Sequence, residues 1–339
     1  MSILDIRNLT IKVRTLNGIF TIVDSVNITI NDREIMALVG ASGSGKSLIA
    51  QALMGLRRDN IIFSADRFIL LNQDLLAISP RKRRRIIGST ISFIMQEPRS
   101  CLDPTMKIRS QLYEVMPNPR WYNLWGRFTQ LTRRKKHSRA VALLHRCGIK
   151  DHSRILSSYP SQLSDVECQK VMVAIAFASQ PKLIIADEPV SNLEITSRTQ
   201  VLKLLDKYNQ NDGISVLIIC NDLGSIANFA HRLAVFYAGQ IVEVGNQERV
   251  LKNPYHPYTL SLIKSMRDLC QSVPARKMLT ELAGKSPDFT AMPIGCRFGA
   301  RCKYADRICN TMPDITITKH SAYRCHNPLP KGALEEEDD

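Results

Sequence analysis

The chain has 339 residues, 44 % of them hydrophobic, and a formal net charge of +15 from 46 Lys and Arg against 31 Asp and Glu. That is enough for two domains, or for one domain with appendages, and enough apolar material for a sizeable core. No apolar run approaches the roughly 20 residues that cross a bilayer. Met1 leads directly into the strand-like alternation Ile3, Leu4, Ile6, Leu9, Ile11 rather than a signal peptide, so a cytoplasmic location is expected.

Residues 1–35 read as short antiparallel strands, with turns at Asn17-Gly18 and Asn31-Asp32. The apolar run Ile35–Val39 follows, then Gly40-Ala41-Ser42-Gly43-Ser44-Gly45-Lys46-Ser47, then a helical pattern through Leu48, Ile49, Ala52 and Leu53. Strand, Gly-rich loop and helix start form the context of a phosphate-binding loop, G-x-x-x-x-G-K-[ST]. Glycines let backbone N–H groups turn inward as an anion nest, and the helix N-terminus adds partial positive charge. Lys46 is expected to reach the β- and γ-phosphates of a nucleotide and Ser47 to ligate Mg²⁺.

Further on, Phe68–Leu71 reads as a strand and Ser79-Pro80 opens a basic helix. A buried strand, Ile91–Met95, ends at Gln96, a second candidate Mg²⁺ ligand and a residue able to position water. Residues 99–160 change character, with Trp121, Trp125, Pro104, Pro117, Pro119 and the run Arg133–Lys136, and read as an inserted helical subdomain. Leu163-Ser164 opens a helix that Pro181 stops. The strand Leu183–Ala186 then presents Asp187 and Glu188, the first to the Mg²⁺ shell and the second to an attacking water. Leu217–Cys220 is another buried strand with polar residues Asn221 and Asp222 at its end, and residues 233–244 form a hairpin around Ala238-Gly239.

The two basic runs, Arg81–Arg85 and Arg133–Lys136, suit a solvated helix face, nucleic acid or an anionic membrane leaflet, and charge alone does not choose. Roughly the last 90 residues stand outside the nucleotide core; Cys296, Cys302, Cys309 and Cys325 there lie in Cys-x₅-Cys-x₆-Cys-x₁₅-Cys spacing among Arg297, Arg301, Lys303, Arg307 and Arg324. Nearby cations favour thiolates, and four thiolates suit either Zn²⁺ or a [4Fe–4S] cluster, with unliganded cysteines as the third reading. The acidic tail Glu335–Asp339 reads as disordered.

Gly40–Ser47, Gln96, Leu163-Ser164, Asp187-Glu188 and the Asp222 strand, in that order, resemble the ATP-binding subunit of an ABC transporter. The segment Asn253-Pro254-Tyr255-His256-Pro257-Tyr258-Thr259 and the cysteine-rich tail narrow the resemblance to the oligopeptide/dipeptide permease ATPases. The segments Ser100–Pro104, Leu144–His152 and Glu167–Lys170 look like members of that family too. The resemblance implies an α/β fold, a P-loop NTPase ABC cassette. It has a RecA-like core with antiparallel β and helical subdomains, plus a small Cys-rich C-terminal extension. The expected domains are 1–96 with 161–245 as the ATPase core, 97–160 as the helical subdomain that contacts membrane subunits, and 246–339 as the extension.

The same resemblance implies ATP and Mg²⁺ as cofactors and an iron–sulfur cluster in some members. It implies two ATPases, two membrane permease subunits and a periplasmic binding protein, assembled at the cytoplasmic face of the inner membrane, with peptide transport and antimicrobial-peptide resistance as the associated roles. Each ATP is sandwiched between one chain's P-loop and the partner's signature. This chain departs from the pattern in four places. Val13 stands where an aromatic residue stacks on adenine, with Phe20 as a substitute. The signature Leu163-Ser164-Asp165-Val166-Glu167 lacks both glycines, and a negative Asp165 facing a phosphate would repel it. Asn221 replaces the switch histidine, and Glu194 replaces the aspartate expected after Ser191-Asn192-Leu193. These departures suggest one working site and one degenerate site, in a heterodimer. The alternatives are a soluble ABC protein acting on nucleic acid and a regulatory nucleotide sensor. No nucleic-acid partner is expected, because neither a second cassette nor a long coiled coil is present.

Overall fold

A computed structural model describes residues 1–56, 59–117, 129–191, 194–270, 284–319 and 321–334. Trp121, Trp125, Pro119, Asn192, Leu193 and the acidic tail fall outside the described residues. The chain divides into two compact units, Met1–Ile78 with Leu217–Asp339, and Ser79–Val216.

The first unit begins with β1 (Ser2–Thr15) and β2 (Gly18–Asn31), an antiparallel pair of 14-residue strands. The alternation predicts shorter strands. What keeps these continuous is a set of register shifts between Ile6 and Lys12, where the pairing slips without ending. β3 (Ile35–Val39) is buried along its whole length, which is why its sequence is a continuous apolar run. It feeds the Gly-rich loop and α1 (Lys46–Leu53). β4 (Ile61–Ser64) and β5 (Arg67–Leu70) pair with β1, and the two-residue β6 (Gln73–Asp74) pairs with β5.

In the second unit, Ser79 caps α2 (Pro80–Thr90) by accepting from the Lys82 N–H, with Pro80 at the first helical position. β7 (Ile91–Ile94) runs parallel to the later β8 and leads to the one-turn α3 (Pro98–Cys101). Then come α4 (Ile108–Val115), α5 (Thr129–Arg146) and α6 (His152–Ser157). α7 (Asp165–Ala178) is buried over most of its length, consistent with its Val, Ala and Ile content. β8 (Leu183–Asp187) is wholly buried, and α8 (Ile195–Asp212) ends at Gly213, whose left-handed φ of 66° terminates the helix.

β9 (Ser215–Cys220) returns the chain to the first unit. There follow α9 (Leu223–Ile226), the hairpin β10 (Arg232–Tyr237) and β11 (Gln240–Asn246), α10 (Gln247–Lys252) and α11 (Pro257–Cys270). Two short strands, β12 (Thr316–Ile317) and β13 (Ser321–Tyr323), extend the sheet beyond β11. The strand order in this unit is β12-β13-β11-β10-β3-β9, with β3 parallel to β10.

Candidate functional site

The phosphate-loop motif folds as its sequence predicts. Gly40 sits against β10: a Cβ there would lie 1.9 Å from the Phe236 carbonyl oxygen, so only glycine fits. Gly43 and Gly45 take left-handed φ values of 73° and 105°. A Cβ on Gly43 would meet nothing within 4 Å, so this turn of the loop faces open space. Lys46 is 4 % exposed, and its ammonium donates to Gly40 O at 2.8 Å, Ala41 O at 2.7 Å and Ser44 Oγ at 3.3 Å. Thus the ammonium is held inside the loop by the loop's own oxygens. Backbone N–H groups, an ammonium and the Ser47 hydroxyl are the donors and hard oxygen ligand that a nucleotide phosphate and Mg²⁺ require.

Sequence reading missed one support of this loop. The Ala41 N–H donates to the Tyr258 hydroxyl at 3.0 Å, from the first turn of α11. Tyr258 is 1 % exposed, and burial pushes its phenol up to about 12, so it stays a neutral hydroxyl. The next residue pair back, His256 and Glu243, are buried as well, and Glu243 accepts from the N–H groups of Tyr255 and His256 and from Arg249. The Asn253–Thr259 segment therefore acts physically as a buttress behind the phosphate loop. The hairpin register also sets Phe20 directly opposite Val13, on the same face of β1–β2. Asn221 is half-buried at the end of β9, and Asp222 caps α9 by accepting from the Gly224 N–H at 2.9 Å.

The second unit brings two other predicted residues together. Gln96 Nε2 donates to Glu188 Oε2 at 3.0 Å. Asp187, 8 % exposed, ends β8, and Glu188 follows with a left-handed φ of 47°, unusual for a residue with a side chain. The turn is held from behind: buried Gln169 of α7 donates to Pro189 O at 2.6 Å, and the Ser191 hydroxyl donates to Glu188 O at 3.2 Å. A carboxylate carried on a backbone held in a sparsely populated conformation, with Gln96 bonded to it, is the form in which a base for water is expected.

The signature segment lies in the same unit. Ser164 caps α7 and forms a capping box with Glu167. Arg154 pairs with Glu167, whose pKa is lowered: its burial opposes the carboxylate, but the Ser164 N–H and Arg154 together outweigh it. Asp165 was expected to present a bare negative charge. Instead it forms an ion pair with Arg99, which also donates to Leu163 O at 2.7 Å. The guanidinium thus offsets the repulsion expected of Asp165. The lost glycine backbone and the half-buried Val166 remain as departures. Glu194 caps the start of α8 by position, with no side-chain hydrogen bond to the helix.

The C-terminal thiols also depart from expectation. Flanking cations were expected to favour thiolates. Burial instead pushes the Cys296, Cys302 and Cys325 thiols up, Cys325 to about 12. Each also feels the charge of other cysteines of the group; Cys325 feels all three. Backbone N–H groups two residues on, at Phe298, Tyr304 and Asn327, donate to these sulfurs and pull the other way. Among the described residues no three Cys, His, Asp or Glu side chains are grouped as for a single metal ion. Arg297, between these cysteines, instead donates to Ala238 O at 2.5 Å and to Asp24 at 2.6 Å, tying the extension to the β-hairpins.

Comparison with known proteins agrees with this geometry. Residues 23–191 match the ABC transporter family model, and residues 242–309 match the oligopeptide/dipeptide transporter C-terminal region. The chain is 44 % identical over 329 residues to the peptide transport system ATP-binding protein SapD of Salmonella typhimurium, covering 97 % of this chain and 98 % of that one. It is 44 % identical to SapD of Haemophilus influenzae, covering 97 % and 93 %. A putative peptide import ATP-binding protein of Brucella abortus is 35 % identical over 331 residues, covering 97 % and 96 %. Among solved structures, a dimeric ATP-binding cassette bound to ADP and Pi has a TM-score of 0.60 at 21 % identity, covering 72 % of this chain and 98 % of that one. A subunit of an ABC transporter complex from Clostridium perfringens has a TM-score of 0.60 at 21 % identity, covering 74 % and 90 %. Among the described residues no helix is long and apolar enough to cross a membrane. With its phosphate loop, its Asp187-Glu188 strand end and relatives aligned along nearly its whole length, the chain belongs to the ATP-binding subunits of ABC transporters, in the group that carries the oligopeptide/dipeptide C-terminal region.

Proposed function

We propose that this chain hydrolyses ATP to power peptide transport, at the cytoplasmic face of an inner membrane, as one of two non-identical ATP-binding subunits beside two permease subunits. The observation that carries the reading is the contrast within one chain. The loop with Lys46 and the Gln96–Glu188 pair keep the parts needed to act on a nucleotide, while Asp165 and Val166 replace the glycines of the signature. Bound ATP and Mg²⁺ supply the phosphoryl group and the charge that organises it. Lys46 exchanges its loop carbonyls for phosphate oxygens, Gln96 orients water, and Glu188 accepts the proton that water loses. Asn221 offers an amide hydrogen bond to a phosphate oxygen and no charge. The peptide cargo is supported by the SapD and peptide import relatives, and antimicrobial peptides among that cargo by the family resemblance alone. Residues 97–160 are assigned to contact the permease subunits and 246–339 to the family's extension.

Co-purification tests this reading. Tagged full-length chain should bring down membrane subunits and a second ATP-binding chain, and Glu188→Gln should reduce ATP turnover of that complex severely. Salt-sensitive nucleic acid in place of membrane subunits would favour the soluble alternative. Unchanged turnover in Glu188→Gln would favour a nucleotide sensor.

A second assignment concerns the tail. We propose that Cys296, Cys302, Cys309 and Cys325 hold an iron–sulfur cluster rather than zinc. What supports this reading is the resemblance to permease ATPases of which some members carry a cluster, together with four half-buried cysteines of which Cys325 feels the charge of the other three. Iron and sulfide in anaerobically purified protein, with visible absorbance, would support this; colourless, zinc-containing protein would overturn it.

A further inference from the structure

The second unit holds a cavity of about 570 Å³ that shares no lining residue with the nucleotide machinery described above. α5 contributes Arg139, Ala142, Leu143 and Arg146 to its wall. That is the i, i+3, i+4, i+7 stripe that turns a helix face toward a core. A core stripe is apolar at all four positions; this one has a guanidinium at each end. Lys182, Gln180 and Asp212 complete the polar lining.

The two guanidinium groups are held in place by the fold. Arg139 Nη2 donates to Ala178 O at 3.1 Å, satisfying a carbonyl at the end of α7. Arg146 lies 4.0 Å over the Tyr208 ring and donates to Asp212 at 2.5 Å. Tyr208 is stacked on Phe177 at 3.4 Å, so the aromatic surface is already occupied. Lys182 is pinned through its backbone, its N–H to Thr90 O at 2.8 Å and its carbonyl to Ser215 N at 3.0 Å, while the residue stays exposed. Gln180, exposed, lines the cavity from a backbone with a left-handed φ of 57°. Helix capping accounts for Arg139 and ion pairing for Arg146. Neither accounts for three cationic residues and a single carboxylate lining one cavity of small-molecule size.

We propose that this cavity binds a compact phosphorylated anion, with Arg139, Arg146 and Lys182 as its cationic contacts and Gln180 as an amide donor. Phosphoryl groups match this set, because guanidinium groups bind them through charge-assisted hydrogen bonds and no free aromatic face invites a nucleobase. The cavity touches the end of α7, whose first turn carries the signature, and the residues leading into β8, which ends at Asp187.

The test uses the full chain carrying Lys46→Ala, without Mg²⁺, so that the phosphate loop is disabled, with pyrophosphate as the probe in titration calorimetry. One pyrophosphate should bind per chain, and Arg139→Ala or Lys182→Glu should each weaken it at least about tenfold. Lys182 is exposed, so Lys182→Glu decides the matter even if Arg139→Ala fails to fold. Replacing Arg84 and Arg85 by Ala should leave the affinity unchanged. ADP bound with the same sensitivity to Lys182→Glu would identify a nucleotide, rather than a free phosphate, as the source of the anion. The absence of pyrophosphate binding, binding that survives Lys182→Glu, or an equal loss from the Arg84 and Arg85 substitutions would overturn the proposal.

Discussion

Lys46 enters a nucleotide site already bonded to three oxygens of its own loop. Under the proposed function its role is an exchange, in which phosphate oxygens replace carbonyls. Removing the ammonium by Lys46→Ala should weaken ATP binding by at least about 100-fold, read as loss of nucleotide-induced stabilisation in thermal melts. Arg99 works on the other half of the chemistry. It neutralises Asp165 and holds Leu163 O, so the segment that would face a partner's phosphate carries a paired charge instead of a bare one. Arg99→Ala should lower the turnover of the assembled transporter by about fivefold, and Arg99→Ala with Asp165→Asn should recover most of that loss. If the double substitution is as slow as the single one, Arg99 does something other than offset Asp165. Motif spacing located Lys46 and Asp165. It could not locate Arg99, because the pair joins residues 66 apart in sequence and only the packing of α3 beside α7 brings them together.

At the scale of elements, the segment leading into α11 shows the limit of reading a motif as a family mark. Asn253–Thr259 was legible as a resemblance, but its physical task was not. The Ala41–Tyr258 bond spans 217 residues, and nothing in local periodicity points at it. By contrast, Gly40–Ser47 and Asp187-Glu188 were legible, since a loop between strand and helix and a carboxylate at a strand end are local features. Tyr258→Phe removes the acceptor of a loop N–H and should cost about 1–3 kcal/mol of stability, measured by denaturant unfolding. His256, beside it, gives a pH signature. Burial holds its imidazole down to about 3, and its Nδ1 accepts from the Tyr258 N–H at 3.1 Å, which requires the neutral ring. A histidine pKa depressed by folding contributes stability that is complete above the unfolded value of about 6.5 and is lost as pH falls toward about 3. Melting temperature should therefore fall between pH 7 and 4, and His256→Asn, which keeps an acceptor without the titration, should flatten part of that slope. An unchanged slope would assign the acid sensitivity to other groups.

Across the whole molecule, charge is unevenly divided. Ser79–Val216 holds 23 Lys and Arg against 11 Asp and Glu, a net of +12, while the remaining residues hold 23 against 20, a net of +3. The basic excess therefore sits in the unit that carries Gln96, Glu188 and the signature, where phosphate chemistry is expected, more than in the C-terminal extension. The same unit holds the asymmetry on which the proposed pairing rests. Two copies of this chain would each offer an intact loop to a signature in which Asp165 and Val166 stand in place of glycine. A side chain at those positions keeps backbone N–H groups from approaching a phosphate closely, and Arg99 offsets the charge of Asp165 but not its bulk. Purified chain alone should therefore turn ATP over slowly. Replacing Asp165 and Val166 by Gly should raise that rate at least about tenfold, since close backbone donors act where charge develops in the transition state. The same substitutions in a complex with a different ATP-binding chain should raise turnover at the partner's nucleotide while leaving turnover of the nucleotide on this chain's own phosphate loop unchanged. If purified wild-type chain already matches the assembled transporter, or if the glycine pair leaves its rate unchanged, the signature is not what limits this protein and the asymmetric pairing falls with it.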